Sequence, residues 1–192
     1  MKYRFIGDVH GKIGQYLAVT DGVERSVQVG DMGLGFDGVV LPKLENHKFI
    51  RGNHDSPSAC LNHPNWIHDG TYKDGIFYCG GAWSIDYALR EENVSWWRDE
   101  EVSTEKLNEL VDFISIKRPK IMVTHDCPYG VVKELFGITP YKTKTQMFLE
   151  AVREISTPDI HIFGHWHHNV DRVINGTRYI CLNELSYIDL DM

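Results

Sequence analysis

The chain has 192 residues, of which 42% are hydrophobic, and its formal net charge is −7 with histidine counted as neutral. This length suits one domain with a sizeable core, and the hydrophobic content excludes a chain that is disordered throughout. The negative charge disfavours generic binding to nucleic acids, because the surface would repel their phosphates. We therefore expect one domain over residues 1–192.

The first residues do not resemble a secretory signal, because the apolar run at residues 3–6 is short and leads directly to Asp8. No stretch approaches the roughly 18 apolar residues of a membrane span. The four cysteines are widely spaced and form no CxxC pair, which favours free thiols in a reducing compartment. We predict a cytoplasmic protein with no membrane partner.

The N-terminal half of the chain alternates short β-prone runs with glycine and polar turns. The elements predicted there are strands at residues 3–6, 26–29 and 47–50 and a helix at 12–20. Farther on, residues 71–73 and 76–79 flank Asp74-Gly75, a dipeptide that favours the tight turn of a hairpin.

The C-terminal half shows clearer helical periodicity. An amphipathic helix begins after Ser103, which has the chemistry of an N-cap, and Pro119 ends it. A second hairpin is predicted around Asn175-Gly176. The remaining predicted elements are strands at 120–124, 160–163, 170–174 and 178–182 and a helix at 144–155.

Five of the predicted strands end in aspartate, asparagine or histidine. In open α/β sheets, ligands bind at the carboxyl ends of the strands, so these side chains are expected to converge in space. Carboxylate, imidazole and amide groups together suit Mn, Fe, Co, Ni or Zn, and the absence of thiolates argues against a structural zinc site. The candidates are Asp8, His10, Asp31, Asn53, His54, His125, His165 and His167.

These residues belong to five motifs that follow one another between residues 7 and 167. The motifs are Asp8-x-His10, Gly30-Asp31, Gly52-Asn53-His54-Asp55, Thr124-His125 and Gly164-His165-x-His167. Together they resemble the signature of the calcineurin-like metallophosphoesterase superfamily, in particular its small bacterial and phage members. The resemblance implies a β-sandwich of two mixed sheets flanked by helices, whereas strand–helix alternation alone supports only an α/β class.

The resemblance also implies a site for two divalent metal ions, bridged by the carboxylate of Asp31. The residues implied for the first metal are Asp8, His10 and His167. The residues implied for the second metal are Asn53, His125 and His165. Mn²⁺ is the favoured ion, with Fe, Zn, Ni and Co as alternatives.

The implied reaction is hydrolysis of a phosphomonoester or phosphodiester by a hydroxide that bridges the two metals. His54 would be the general acid and Arg51 would hold phosphate oxygens, so both join Asp31 as catalytic residues. The expected substrate is a small molecule or a nucleotide. The alternatives are a non-catalytic binding or scaffold protein on the same fold and a nuclease, which the acidic charge disfavours.

The segment 30–36 departs from the protein-phosphatase branch of this superfamily, because it lacks the later aspartate and the arginine of that branch. Protein phosphatase activity is therefore disfavoured. Three further questions stay open at the level of sequence. His168 could replace His167 as a ligand, and Asp55 and Asp126 could orient histidines or cap turns. The Trp-rich segment 80–101 could cover a substrate, with its aromatic rings for a base and Arg90 and Arg98 for phosphate, although packing against a sheet is favoured.

Overall fold

Two β-sheets pack face to face in the computed structural model, which describes residues 2–191. The first sheet has the strand order β10-β1-β2-β3, with β1 paired in parallel to β2 and antiparallel to β10. Its strands are β1 (Lys2–Ile6), β2 (Ser26–Gln28), β3 (His47–Phe49) and β10 (Tyr187–Asp191).

The second sheet has the strand order β4-β5-β6-β7-β9-β8, and β5, β6, β7 and β9 run parallel to one another. Its strands are β4 (Thr71–Lys73), β5 (Ile76–Cys79), β6 (Ile121–Thr124), β7 (Ile160–Phe163), β8 (Val170–Ile174) and β9 (Thr177–Cys181). Both sheets are mixed, so the predicted two-sheet α/β architecture is confirmed.

Alternation along the strands separates the core between the sheets from the cores beneath the helices. In β1, Phe5 joins the cluster between the two sheets, whereas Ile6 joins the cluster on the outer face. In β5, Ile76 faces inward and Phe77 packs outward in the same way. Successive side chains point to opposite faces of a strand, so a single short apolar run serves two hydrophobic layers.

Five α-helices cover the outer faces of the sheets within residues 2–191. They are α1 (Ile13–Thr20), α2 (Pro57–Leu61), α3 (Thr104–Lys117), α4 (Tyr129–Phe136) and α5 (Lys144–Ile155). Ser103 and Thr143 cap α3 and α5, because their side chains accept hydrogen bonds from the backbone of the first turn. None of these helices is long and apolar enough to cross a bilayer.

The predicted hairpins form at the expected dipeptides, because both residues of Asp74-Gly75 and of Asn175-Gly176 adopt positive φ. The predicted helices at 12–20 and 144–155 also form, the first one residue shorter. The sequence did not predict α2, α4 or β10. The last of these depends on pairing with β1, which lies at the other end of the chain.

Candidate metal centre

The seven predicted metal ligands meet where five strands end. They lie on the loops that follow β1, β2, β3, β6 and β7, at the carboxyl ends of parallel strands in both sheets. Side-chain atoms of Asp8, His10 and His167 lie within 4.8 Å of one another, and so do those of Asp8, Asp31 and His125.

The first ligand group consists of Asp8, His10 and His167. The Nε2 atom of His167 lies 3.2 Å from the Oδ2 atom of Asp8 and 3.2 Å from the Nε2 atom of His10. Asp8 is fully buried, and the backbone N–H of His165 donates to both of its carboxylate oxygens at 3.2 Å. Two imidazole nitrogens and a buried carboxylate thus converge on one point, as ligands of a single cation do.

The second ligand group surrounds the side-chain oxygen of Asn53. This Oδ1 atom lies 3.0 Å from Nδ1 of His165 and 3.2 Å from Nε2 of His125. The Nδ1 atom of His125 bonds to the backbone carbonyl of Val29 at 2.9 Å, which directs the other ring nitrogen toward the cluster. A carbonyl partner of this kind fixes the tautomer of a metal-binding histidine.

Asp31 lies between the two groups with one oxygen toward each. Its Oδ1 atom is 3.2 Å from Nε2 of His125, and its Oδ2 atom is 3.8 Å from Nε2 of His10. Burial raises the pKa of Asp31, but the facing histidines together, His125 above all, outweigh burial and lower it. The carboxylate is therefore charged, and its two oxygens are placed to join two cations.

Close approach of backbone explains the glycines in the motifs. A Cβ atom on Gly52 would lie 2.0 Å from Oδ1 of Asp31, and one on Gly164 would lie 2.2 Å from Oδ1 of Asp8. Neither position tolerates a side chain, because the carboxylate would have to move.

Four of the ligands themselves adopt the left-handed backbone conformation that residues with side chains rarely use. Their φ angles lie between 48° and 65° at His10, Asp31, His165 and His167. Strained backbone of this kind is concentrated at functional sites, where the surrounding structure holds it in place.

The donor set fits two divalent metal ions. Two buried carboxylates, Asp8 and Asp31, face four imidazole rings and one amide oxygen. The facing Nε2 atoms of His10 and His167 lie 3.2 Å apart, and a shared cation would satisfy both lone pairs. Mixed oxygen and nitrogen ligands suit borderline divalent metals.

His54 lies at the edge of the cluster. Its backbone N–H donates to Oδ1 of Asp31 at 2.7 Å, and its ring packs edge-on to His10 with centroids 4.9 Å apart. Its side chain also falls within ligand distance of His10 and Asp31. Burial lowers the pKa of His54 to about 4; the charge of Asp31 opposes this shift and the charge of Arg90 reinforces it.

Arg51 does not join the cluster. Its Nε atom donates to Asp69 at 2.8 Å, and its Nη1 atom donates to the backbone carbonyls of Asp99 and Glu100 at 2.8 and 3.0 Å. These contacts tie the guanidinium to the end of the Trp-rich segment and indicate a structural role. The phosphate-binding role of Arg51 stays a prediction that this geometry does not favour.

Asp55 holds the loops rather than a histidine. Its carboxylate accepts hydrogen bonds of 2.8–3.1 Å from the backbone N–H groups of Met32, Gly33, Leu34 and Gly52. Burial, followed by the nearby charge of Asp31, raises the pKa of Asp55 to about 6. Asp55 thereby fastens the loop after β2 to the loop after β3.

Asp126 and His168 also lie outside the ligand set. Asp126 accepts from the side chains of Trp166 and Gln146 at 2.9 and 3.0 Å, not from a ligand histidine. The Nδ1 atom of His168 bonds to the carbonyl of Trp166 at 2.6 Å. The structure thus brings His167, and not His168, to Asp8.

Segment 80–101 supplies three further functional candidates, of which Ser84 and Glu100 were not predicted from the sequence. The Oγ atom of Ser84 accepts from Nδ2 of Asn53 at 3.1 Å and donates to Oε2 of Glu100 at 2.6 Å. This chain orients the Asn53 amide with its oxygen toward the ligands. Arg90 donates from Nη2 to Nε2 of His54 at 2.8 Å. No motif marks these residues, because isolated serine, glutamate and arginine residues are common.

The same segment also packs on the loop that follows β2. Trp97 is buried and contacts Phe36, with ring centroids 5.3 Å apart, and Phe36 in turn stacks on His54 at 6.0 Å. Trp83 and Tyr87 form a looser, half-exposed aromatic row. The segment therefore combines a buried, packed part with polar groups that reach the cluster.

Family comparison identifies the chain. Residues 1–184 match the family model described as the calcineurin-like phosphoesterase superfamily domain. The chain therefore belongs to the calcineurin-like phosphoesterase superfamily. No curated protein matches the chain by sequence.

A solved structure of a longer protein shares the fold. A candidate 5′-nucleotidase from Staphylococcus aureus aligns with 99% of this chain at 13% identity and a TM-score of 0.56, and the chain spans 50% of that protein's length. Two others align at lower TM-scores. A predicted phosphoesterase from Streptococcus pneumoniae aligns over 100% of this chain and 84% of its own, at 14% identity and a TM-score of 0.42. An archaeal phosphodiesterase aligns over 99% of both chains, at 12% identity and a TM-score of 0.40.

Proposed function

We propose that this chain holds two divalent metal ions and hydrolyses a phosphate ester at them. The observation that carries the proposal is the position of Asp31, whose two carboxylate oxygens face the two ligand groups at 3.2 and 3.8 Å. Mn²⁺ is the ion we favour, because the mixed oxygen and imidazole donor set suits it. Fe, Zn, Ni and Co are alternatives.

Each predicted ligand would have a defined role in holding the metals. Asp8, His10 and His167 would hold one metal, Asn53, His125 and His165 would hold the other, and Asp31 would bridge them. When bound, the two ions supply an activated water at neutral pH and positive charge for the phosphoryl group.

His54 would serve the leaving group. Its ring lies beside His10 and takes no part in the hydrogen bonds that link the other imidazoles to one another and to Asn53. It can therefore reach an ester placed over the cluster. As a general acid it would donate a proton to the departing oxygen. The negative charge of a bound ester acts to raise the pKa of His54, which favours the protonated ring that this role requires.

We infer a single domain over residues 1–192, a cytoplasmic location and a small-molecule or nucleotide substrate. The net charge of −7 supports a small substrate over a nucleic-acid polymer. A scaffold protein on the same fold is the alternative of another class. The complete ligand set favours an enzyme, because a scaffold has no need to keep buried carboxylates and imidazoles together.

Chelation and reconstitution test the proposal. Protein stripped of metal should lose hydrolysis of p-nitrophenyl phosphate and bis-p-nitrophenyl phosphate and should regain it with Mn²⁺, while metal analysis reports two ions per chain. Full activity in protein shown to be free of metal would contradict the mechanism. Tight binding of two ions without hydrolysis of either ester, of nucleotides or of nucleic acids would favour the scaffold alternative.

A further inference from the structure

We propose that Arg90 binds a terminal oxygen of the phosphoryl group and gives the site a preference for phosphomonoesters over phosphodiesters. This inference rests on the proposed phosphoesterase function. Arg90 lies in segment 80–101, far in sequence from the ligand motifs, and its guanidinium is the positive group that touches His54.

The position of Arg90 brings a cation to the open side of the cluster. Its Nη2 atom is 2.8 Å from Nε2 of His54, whose backbone N–H is itself bonded to Asp31. The guanidinium is thus separated from the ligands by one imidazole ring. A phosphoryl oxygen that replaces the His54 nitrogen as acceptor would connect the guanidinium to a phosphoryl group held over His10 and Asp31.

The arginine is also held in place before any ester arrives. Its Nε atom pairs with Oδ1 of Asp86 at 2.7 Å, its Nη1 atom donates to the carbonyl of Ser95 at 3.2 Å, and its side chain is 14% exposed. A guanidinium carries five N–H donors, so these contacts leave donors for a ligand. A fork that is already oriented loses less freedom on binding than a mobile lysine does.

Other basic groups near the cluster have partners of their own. Arg51 is bound to Asp69 and to the backbone at Asp99. The Nζ atom of Lys12, at the rim beside His10, pairs with Glu184. Arg90 also pairs with a carboxylate, that of Asp86, but its Nη2 atom is bonded to a ring nitrogen of His54, which a phosphate oxygen can replace as the acceptor.

The number of phosphate oxygens without a carbon substituent decides which class of ester can use the contact with Arg90. A phosphomonoester has three oxygens without a carbon substituent, whereas a phosphodiester has two. The additional charged oxygen of the monoester is a strong acceptor for a guanidinium fork. In a diester the corresponding oxygen carries a carbon substituent and is a weak acceptor. The contact with Arg90 therefore contributes little to the binding of a diester.

The test compares Arg90→Ala with Arg98→Ala on the metal-loaded full chain. Arg98 lies on the same segment, but its guanidinium is on the surface and pairs with Glu92 at 3.0 Å. Two quantities are measured: binding of inorganic phosphate by calorimetry, and kcat/KM for p-nitrophenyl phosphate and bis-p-nitrophenyl phosphate.

Arg90→Ala should weaken phosphate binding and lower kcat/KM for the monoester by about 10- to 100-fold, the range of one charge-assisted hydrogen bond, and should lower the diester rate by less than about threefold. Arg98→Ala should leave phosphate binding and kcat/KM for both esters unchanged. Arg90→Lys, which keeps the charge but not the fork, should fall between wild type and Arg90→Ala. It also serves as the test if the alanine variant does not fold.

Equal losses on both esters would overturn the inference, because they would mean that Arg90 only supports His54. Unchanged phosphate binding in Arg90→Ala would overturn it as well. Failure of the proposed function looks different: the wild-type chain would then cleave neither ester. Phosphate binding that depends on Arg90 in that chain would still support the anion contact.

Discussion

The two sides of the cluster are built in different ways. On the sheet side, the ligands follow the ends of five strands, and glycines and backbone hydrogen bonds set their positions. On the opposite side, segment 80–101 supplies Ser84, Arg90 and Glu100 from a stretch whose regular structure is one short 3₁₀ turn, Tyr87–Leu89, and one isolated β-bridge, Glu92–Trp96. The sheet side holds charge for metals, whereas the segment side orients one ligand and reaches toward substrate. We therefore expect changes on the first side to remove metal and changes on the second to alter affinity or selectivity.

The largest effect is expected at the centre of the sheet side. Asp31→Asn keeps the shape of the side chain but removes the charge that would join two cations. Since a catalytic metal contributes several kcal/mol to the barrier, we predict that kcat falls by about 10³-fold or more, together with metal occupancy.

Asp37→Asn is the matched control, because Asp37 lies on the same loop and is exposed. It should retain both metals and normal turnover. Two metals per chain and normal turnover in Asp31→Asn would show that Asp31 is not the bridge.

His54 lies between the two sides, and His54→Ala is expected to have the next largest effect. We predict that kcat falls by about 10²–10⁴-fold, as for loss of a general acid, while both metals remain bound. Esters with an alkyl or ribose leaving group should lose the most, because a basic alkoxide needs a proton more than p-nitrophenolate does.

Metal analysis and a series of leaving groups separate the possible roles of His54. Equal losses for good and poor leaving groups would indicate that His54 positions phosphate instead. Loss of a metal would make His54 a ligand, as its reach to His10 and Asp31 allows.

A smaller effect is expected from Ser84, which lies on the segment side and acts through Asn53. Ser84→Ala removes the acceptor of the Asn53 amide, so the amide oxygen is no longer held toward His125 and His165. We predict about 10- to 100-fold weaker binding of one of the two metals, measured by competition with a fluorescent chelator.

Ser84→Thr should restore the affinity, because it keeps the hydroxyl. Ser95→Ala, on the same segment, should leave it unchanged, because Ser95 contacts Arg90 only through its backbone carbonyl. If Ser84→Ala binds both metals as tightly as wild type, the Asn53 amide is oriented by its metal alone.

The contrast between the two sides also explains what the sequence could predict. Short strands followed by Asp, Asn or His at glycine-rich turns are local patterns, so the α/β class and the convergence of the ligands were predictable from them, whereas the two-sheet detail came from the family resemblance. Ser84 and Arg90 act through contacts with residues 31 and 36 positions away in the chain. The contact of Arg51 with Asp69 could not be predicted for the same reason, because tertiary packing sets it. The pairing of β10 with β1 is likewise a long-range feature.

The smallest effect on activity is expected at His161, which lies within strand β7 on the sheet side of the cluster. His161 is buried in β7 and bonds to Oγ1 of Thr124 at 2.7 Å, and burial lowers its pKa to about 3. The unfolded chain binds a proton at this residue below about pH 6.5, where the folded chain does not. The contribution of His161 to the free energy of unfolding should therefore be fully present above that pH and should be lost as the pH drops toward 3.

Removal of the ring tests this account. In metal-free protein, His161→Gln should lower the slope of the unfolding free energy between pH 6 and pH 4 by about 1.4 kcal/mol per pH unit, the value for one proton. Denaturant unfolding at several pH values measures it. An unchanged slope would mean that His161 takes up its proton in the folded state.

The central claim is that Asp31 joins two metals, and low-temperature electron paramagnetic resonance of the Mn²⁺-loaded chain tests it most directly. Two ions bridged by one carboxylate are magnetically coupled, so the wild-type chain should give the spectrum of a coupled pair. Asp31→Asn should give at most the spectrum of isolated Mn²⁺. A wild-type spectrum of isolated ions at full metal loading, or a coupled pair that persists in Asp31→Asn, would contradict the account.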